Sequence, residues 1–233
     1  MCKKNTNNKM EPKNTDTKTE SETQIKTEVK RVSIAGLIGR FKPLHNGGAI
    51  MLDTVCSNFD KVIIGIGSAN KHNARNPFSA AESESMIHAY LSPKFKNYTV
   101  IYVPDFAHLP QYKDGKKWKS YLIEKFEELD AFVSGNNYVS DLLSDKYKIV
   151  HPSDLIPKEK RVKLRAAEVR LEIARFGPWE DLVPKEVASY LKENSLVERF
   201  RTEFGLQTLA ELTDSKIKED ESAEMERLHT RET

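Results

Sequence analysis

Cysteine is almost missing from this chain. Only Cys2 and Cys56 occur in 233 residues, so neither a disulfide framework nor a cysteine-built metal cluster is available, and a reduced, cytoplasmic protein is expected. Long apolar runs are missing too: nothing approaches the roughly 20 apolar residues that a bilayer-spanning helix needs. The N-terminus lacks the apolar stretch of a secretory signal. Charge of one sign is not in excess, with 37 Lys and Arg against 35 Asp and Glu and a net charge of +2. The global positive field of a nucleic-acid binder is therefore absent. Neither a membrane nor a nucleic-acid partner is expected, and no metal-ligating side chains are indicated. Aromatic residues are absent from positions 1–30, which are rich in Lys, Thr, Asn and Glu. Such a segment cannot bury enough apolar surface to offset its ordering entropy, and it reads as a disordered polar tail. Positions 206–233 read as a second charged tail around Lys218-Glu219-Asp220-Glu221. The domain is expected at 31–205.

What the middle of the chain does have is an alternation of strands and helices. Strands are expected at Arg31–Gly39, Lys61–Gly67, Tyr98–Val103, Ala131–Ser134 and Tyr147–Val150. Helices are expected at Ala49–Asn58, at Ser79–Leu91 with a Ser79/Glu82 capping box, and at Trp118–Leu129. Three more are expected near the end, at Lys160–Arg175, Pro184–Glu193 and Ser195–Phe204. Repeated strand–helix units imply an α/β fold, a parallel sheet flanked by helices, here with a C-terminal helical portion. Ligands of such sheets sit at the carboxyl ends of the strands.

The end of the first strand is the most informative place. Gly39-Arg40-Phe41-Lys42-Pro43-Leu44-His45-Asn46-Gly47-Gly48 joins the first strand to the first helix. A turn of this kind leaves free N–H groups at the positive end of a helix dipole, an arrangement that binds phosphate. Arg40 and His45 add side-chain donors there. The run resembles the Gly-Arg-Phe-x-Pro-x-His-x-Gly-His signature of nucleotidyltransferases, with Gly48 in place of the second histidine. Further segments narrow the resemblance: Gly65-Ile66-Gly67-Ser68-Ala69, Asn76-Pro77-Phe78-Ser79-Ala80, Ser134-Gly135-Asn136 and Gly177-Pro178-Trp179-Glu180-Asp181-Leu182-Val183-Pro184. In order and spacing they resemble the archaeal-type nicotinamide-nucleotide adenylyltransferases, over roughly Val32 to Arg201.

The resemblance implies a Rossmann-like nucleotidyltransferase fold and the joining of ATP to nicotinamide mononucleotide, giving NAD and pyrophosphate with Mg²⁺ beside the ATP. It also suggests a homo-oligomer. It implies that Arg40, His45 and Arg170 hold phosphates as the catalytic groups. Gly39, Phe41, Lys42, Gly47, Gly48, Gly67, Ser68, Ser134, Gly135 and Asn136 then line the nucleotide site. Trp118 matches a tryptophan that stacks on the nicotinamide ring, and Arg75 a basic residue of the loop over the site. A second phosphate motif, Ile-Ser-x-Thr-x-x-Arg, is altered to Leu164-Arg165-Ala166-Ala167-Glu168-Val169-Arg170. Both hydroxyls are gone, and Arg165 stands where one was. Two readings follow: a transferase with unusual phosphate contacts, in which Lys42 and Arg165 compensate, or a catalytically impaired relative that binds NAD or a nucleotide as a sensor or partner protein. Trp118 and the Gly-Pro-Trp segment argue against a transferase for pantetheine phosphate or a flavin.

Overall fold

The structure, a computed structural model, describes residues 33–211. The expected tail at 1–30, with Cys2, and the chain beyond 211 lie outside the described residues. Five strands form one sheet in the order β3-β2-β1-β4-β5: β1 (Ile34–Gly39), β2 (Lys61–Gly67), β3 (Tyr98–Val103), β4 (Ala131–Val133) and β5 (Ile149–Val150). Every pairing is parallel. The first three strands run outward from β1 in one direction and β4 and β5 in the other. The switch point therefore lies between the carboxyl ends of β1 and β4, where a crevice opens.

The helices are α1 (Asn46–Asn58), α2 (Ala80–Leu91), α3 (Lys116–Phe126), α4 (Asn137–Leu143), α5 (Pro152–Leu155), α6 (Ala166–Ala174), α7 (Lys185–Glu193) and α8 (Leu196–Phe200). Alternate strand residues face two separate apolar clusters. Leu37, Ile64 and Ile66 join the cluster that contains Leu52 of α1, Met86 of α2, Ile173 of α6 and Val187 of α7. Ile38, Ile63 and Ile101 pack against Leu122 and Phe126 of α3 and Leu143 of α4. Burial on both faces explains the continuous apolar strand sequences. Among the described residues no helix is long and apolar enough to cross a membrane.

Two glycines set the depth at which α3 sits. A Cβ on Gly36 would lie 2.9 Å from the Phe126 ring and 2.5 Å from Leu129 Cδ1, and one on Gly65 would lie 2.9 Å from the same ring. Their bare Cα atoms let the fully buried Phe126 lie on the sheet.

Several local features depart from the expected ones. The helix expected from Lys160 begins only at Ala166. Arg161 is the physical reason: its guanidinium donates to the carbonyls of Ile156 (3.0 Å) and Ser153 (2.6 Å), and the backbone of both Arg161 and Arg165 is extended. Helix α4 was not expected; it is capped by Asn136, whose side chain accepts from the Val139 N–H at 3.2 Å. Helix α3 stops at Phe126 because Glu127 turns to φ 54°, ψ −131°. After α8 a π-helical turn (Arg201–Gly205) continues into helix through residue 211, with Leu209 packed on the larger cluster. The Ser79/Glu82 capping box is formed, at 3.1 and 2.8 Å.

Candidate active site

At the end of β1 the chain bends sharply. Phe41 takes a left-handed backbone (φ 51°) and the Lys42–Pro43 peptide is cis. Phe41 is buried with its ring over Gly39. His45 then caps α1: its Nδ1 accepts from the Gly48 N–H at 3.3 Å. That bond assigns the proton to Nε2, which leaves a donor at the helix N-terminus. Burial lowers the His45 pKa, with Glu168 opposing, so the ring is neutral near pH 7.

Two cavities open at this end of the sheet, and Arg40 borders both. The smaller, of about 300 Å³, is lined by Arg40, Lys42, Arg75, Arg165, Ala166, Ala167 and Arg170. No acidic residue lines it. Among the described residues none of the four guanidiniums forms an ion pair with a carboxylate. Arg170 is buried and donates to the Lys42 carbonyl at 2.9 Å. Its pKa is brought down to about 10 by burial first and then by Arg40 and Arg75, with Glu211 opposing. Arg40 is lowered by burial and by Arg75, against Asp105. Cations crowded so closely favour an anion between them, since a polyphosphate would relieve their mutual repulsion and accept their N–H donors.

Lys42 is placed differently from what a phosphate clamp would suggest. Its side chain is wholly buried and its ammonium donates to the Ser68 carbonyl at 2.9 Å. Burial, then Arg40, depresses it to about 8, with Glu82 opposing. It is a charge in the wall behind the arginines rather than a reaching donor.

The larger cavity, of about 380 Å³, runs along the carboxyl ends of β1, β2, β3 and β4. Gly39, Gly67, Ser68, Trp118, Ser134, Gly135 and Asn136 line it, all residues marked out by the sequence. Trp118, on the first turn of α3, faces Tyr138 across a centroid distance of 6.3 Å with planes 25° apart. Asp105, Phe106 and Tyr112 complete this end. Of the expected site residues, Phe41, His45, Gly47 and Gly48 line neither cavity; they form the turn and helix start beside them. Asp105 and Tyr138 were missed. Asp105 lies two residues past the end of β3 and could have been found from the rule that ligands sit at strand ends. Tyr138 lies on the unexpected α4.

Gly48 occupies the third position of α1 and is buried. A Cβ there would be 3.2 Å from Leu44 Cδ1 and 3.8 Å from His45 Nε2. A side chain at this position would therefore emerge beside the His45 imidazole after a small adjustment of Leu44. Across the turn, the Val162 carbonyl comes within 3.1 Å of a Cβ built on Gly47. The segment leading to Arg165 thus lies over the start of α1.

The loop carrying Arg75 is clamped from below. Arg199 on α8 forks onto both Glu82 oxygens at 2.6 and 2.8 Å and reaches the Pro77 carbonyl at 3.1 Å. Burial pushes the Glu82 carboxyl up, but Arg199 and the Ser79 N–H together hold it below the usual range.

A parallel sheet with its crevice at the switch point and a basic pocket at a helix start defines a nucleotide-binding α/β protein of the nucleotidyltransferase class. The Cytidylyltransferase-like family matches over residues 37–189. The nicotinamide-nucleotide adenylyltransferase of Pyrococcus furiosus is 36% identical over 170 residues, covering 70% of this chain and 85% of that protein. The Pyrococcus horikoshii protein of the same name is 38% identical over 173 residues, covering 72% and 88%. In fold, the chain resembles a bifunctional NMN adenylyltransferase/ADP ribose pyrophosphatase from Francisella tularensis complexed with AMP and a Mn ion. The TM-score is 0.58 at 19% identity, over 81% of this chain and 56% of that one. The chain belongs to the nicotinamide-nucleotide adenylyltransferase family of cytidylyltransferase-like nucleotidyltransferases.

Proposed function

We propose that the chain transfers the adenylyl group of ATP to nicotinamide mononucleotide, giving NAD and pyrophosphate. The observation that carries this reading is the pair of cavities sharing Arg40: one lined by cations without an acid, the other ending in aromatic rings. The mononucleotide occupies the larger cavity with its pyridinium on Trp118, an arrangement favoured by stacking and cation–π attraction. The β- and γ-phosphates occupy the smaller one. An oxygen of the mononucleotide's phosphate attacks the α-phosphorus in line, the bond to the bridging oxygen breaks, and pyrophosphate leaves into the arginine pocket. Arg40, at the junction, meets the charge as it shifts from one side to the other.

No side-chain nucleophile is needed. Cys56 is buried and its thiol is pushed up to about 12 by burial and Asp53, so it stays protonated. Catalysis then rests on positioning and on preorganised donors: Arg40, Arg165, Arg170, the His45 Nε2–H and the amides at the start of α1. Among the described residues no group of three His, Cys, Asp or Glu is placed to hold a metal. The divalent ion, Mg²⁺ in this reading, is carried by the phosphates of the ATP substrate.

A second reading is favoured by Gly48, which offers no side chain where the family signature has a histidine. In that reading the chain binds NAD without making it. Incubation with ATP, Mg²⁺ and nicotinamide mononucleotide, with NAD followed by an enzymatic cycling assay, tests the first reading. Steady NAD formation supports it. Absence of NAD together with saturable NAD binding selects the second.

A further inference from the structure

Of the four arginines lining the smaller cavity, three stand on or directly beside β1 and α6, while Arg75 stands in the loop between β2 and α2. A long side chain loses much rotamer freedom when it meets an anion. What Arg75 contributes therefore depends on how firmly its loop is held. The loop closes into a tight turn: the Asn76 N–H donates to the Asn73 carbonyl at 2.7 Å and the Asn73 N–H to the Asn76 carbonyl at 3.3 Å. Asn73 Oδ1 accepts from the Arg75 N–H at 3.1 Å and from Asn76 Nδ2 at 3.0 Å. Ala74, Asn76 and Phe78 are buried, and Arg75 is exposed between them.

These bonds shape the turn but do not place it over the cavity. Its placement comes from the far end of the chain. His72, before Arg75, bonds Glu203 at 3.1 Å and meets the Phe204 ring edge-on at 5.1 Å. Phe78, after Arg75, faces Phe200 at 6.3 Å. Arg199 sits with these contacts and joins the Pro77 carbonyl to both oxygens of Glu82. Glu82 in turn accepts the Ser79 N–H at the start of α2, so the fork fixes where the loop ends as well as where it lies. A forked guanidinium–carboxylate pair supplies geometry as well as attraction. The loop is thus held on both sides of Arg75 by one stretch, 199–204, which runs into the π-helical turn, an irregularity frequent near functional sites. Arg199 itself lines neither cavity. We infer that Arg199 is a positioning residue for the phosphate cavity: by joining Glu82 to the Pro77 carbonyl it fixes the turn from which Arg75 reaches the polyphosphate. The inference rests on the reading of the smaller cavity as the phosphate site.

The test is steady-state kinetics of the full chain with ATP, Mg²⁺ and nicotinamide mononucleotide, in the wild type, Arg75→Ala, Arg199→Met, Arg199→Lys and the double variant Arg75→Ala/Arg199→Met. Arg75→Ala should raise KM for ATP at least about tenfold, the loss of one charge-assisted bond to phosphate. Arg199→Met should raise it about fivefold, a share of the same loss, with KM for nicotinamide mononucleotide unchanged. Arg199→Lys keeps the charge without the fork and should recover part of it. The double variant should be no worse than Arg75→Ala, because two residues acting through one group are not additive. Losses that multiply in the double variant overturn the inference. So does an Arg199→Met variant that raises both KM values alike, since Arg199 would then serve the fold at large. Glu82→Gln retains an acceptor for the Ser79 N–H and weakens the pair, so it should show a milder form of the same split even where Arg199→Met does not fold. An unchanged KM for ATP in Glu82→Gln overturns the inference. For a catalytically silent chain, calorimetric titration with tripolyphosphate should rank affinity as wild type, then Arg199→Met, then Arg75→Ala. Binding weakened by Arg75→Ala and untouched by Arg199→Met overturns the inference and leaves the phosphate reading intact. Binding that Arg75→Ala leaves unchanged, or no binding at all, refutes the phosphate reading and the inference with it.

Discussion

The two ends of the crevice solve different problems with different materials. The end we propose for phosphate is made of long cationic side chains drawn from three separated segments: Arg40 after β1, Arg75 in the loop before α2, and Arg165 and Arg170 at α6. The end we propose for the pyridine ring is made of strand termini, glycines and rings, with Trp118 and Tyr138 among its walls. A triphosphate is flexible and highly charged, so several guanidiniums can meet it in more than one way. A flat ring must be met by a surface at one place. The phosphate end should therefore tolerate exchange of individual groups, while the pyridine end should depend on the position of one helix. The resemblance read from the sequence puts its departures, Gly48, Arg165 and Ala167, in or beside the first end and its match, Trp118, at the second.

The sharpest way to break this contrast is to remove the group both ends share. Arg40→Ala should lower kcat/KM for NAD formation by roughly 10²–10³, the usual effect of losing one transition-state donor, and should raise KM for both substrates. A loss confined to ATP would show that Arg40 belongs to one end only.

The next effect tests exchange within the phosphate end. Arg165→Ser should lower the rate about tenfold if Arg165 stands in for the missing donors, an effect of roughly 1.4 kcal/mol. Gly48→His should raise it by a similar factor, since its side chain would emerge beside His45 Nε2. Steady-state rates of both single variants and the double form a cycle. A double variant faster than the two separate changes predict would show that the groups substitute for one another. A slower Gly48→His variant would mean that the arginine clamp already replaces the histidine.

At the pyridine end, Trp118→Ala should weaken nicotinamide mononucleotide and NAD by roughly 2- to 30-fold, the range of a cation–π contact at a partly desolvated site. ATP binding should change little. Calorimetric titration of the three ligands decides this, and equal losses would remove the stacking role.

The last test reads stability rather than turnover and concerns the wall between the ends. Lys42 titrates at about 8 in the folded chain against 10.5 ordinarily. Between those values the unfolded chain holds more protons, so this residue makes stability rise with pH across that window. Chemical denaturation of wild type and Lys42→Met at pH 7.5 and 10.5 should show the difference shifting toward the wild type by roughly 1–3 kcal/mol. A pH-independent difference would mean that the ammonium is better solvated than its burial implies.

Much of the fold was legible because its strands are short, apolar and bounded by turn residues. Lys61–Gly67 and Tyr98–Val103 fall where periodicity placed them. Helix α4 was not legible: Asn137–Leu143 is too short for a clear 3.6-residue pattern, and its cap depends on Asn136, which reads equally as a turn. The late start of α6 was hidden because Arg161 restrains the preceding chain through side-chain bonds to the carbonyls of Ile156 and Ser153, which no hydrophobic period reveals. Arg40, Arg75, Arg165 and Arg170 could each be marked from motifs, but not that they border one cavity without a carboxylate. That is a property of the tertiary arrangement. Lys42 illustrates the limit most clearly, since a lysine in a phosphate motif reads as a phosphate donor until its burial against Ser68 is seen.

Gly36 and Gly65 have a consequence that reaches beyond packing. Phe126, which lies on them, shares helix α3 with Trp118. The thickness of the sheet surface under Phe126 thus sets how far the tryptophan projects into the crevice. A methyl group added in mid-strand, at a site touching no ligand, would lift the helix and carry the indole with it. Tolerance to substitution at those two positions should therefore be governed by affinity for the pyridine nucleotide before it is governed by foldedness. Under the proposed function, drift in the middle of the sheet is then constrained by a molecule held at the carboxyl ends of its strands.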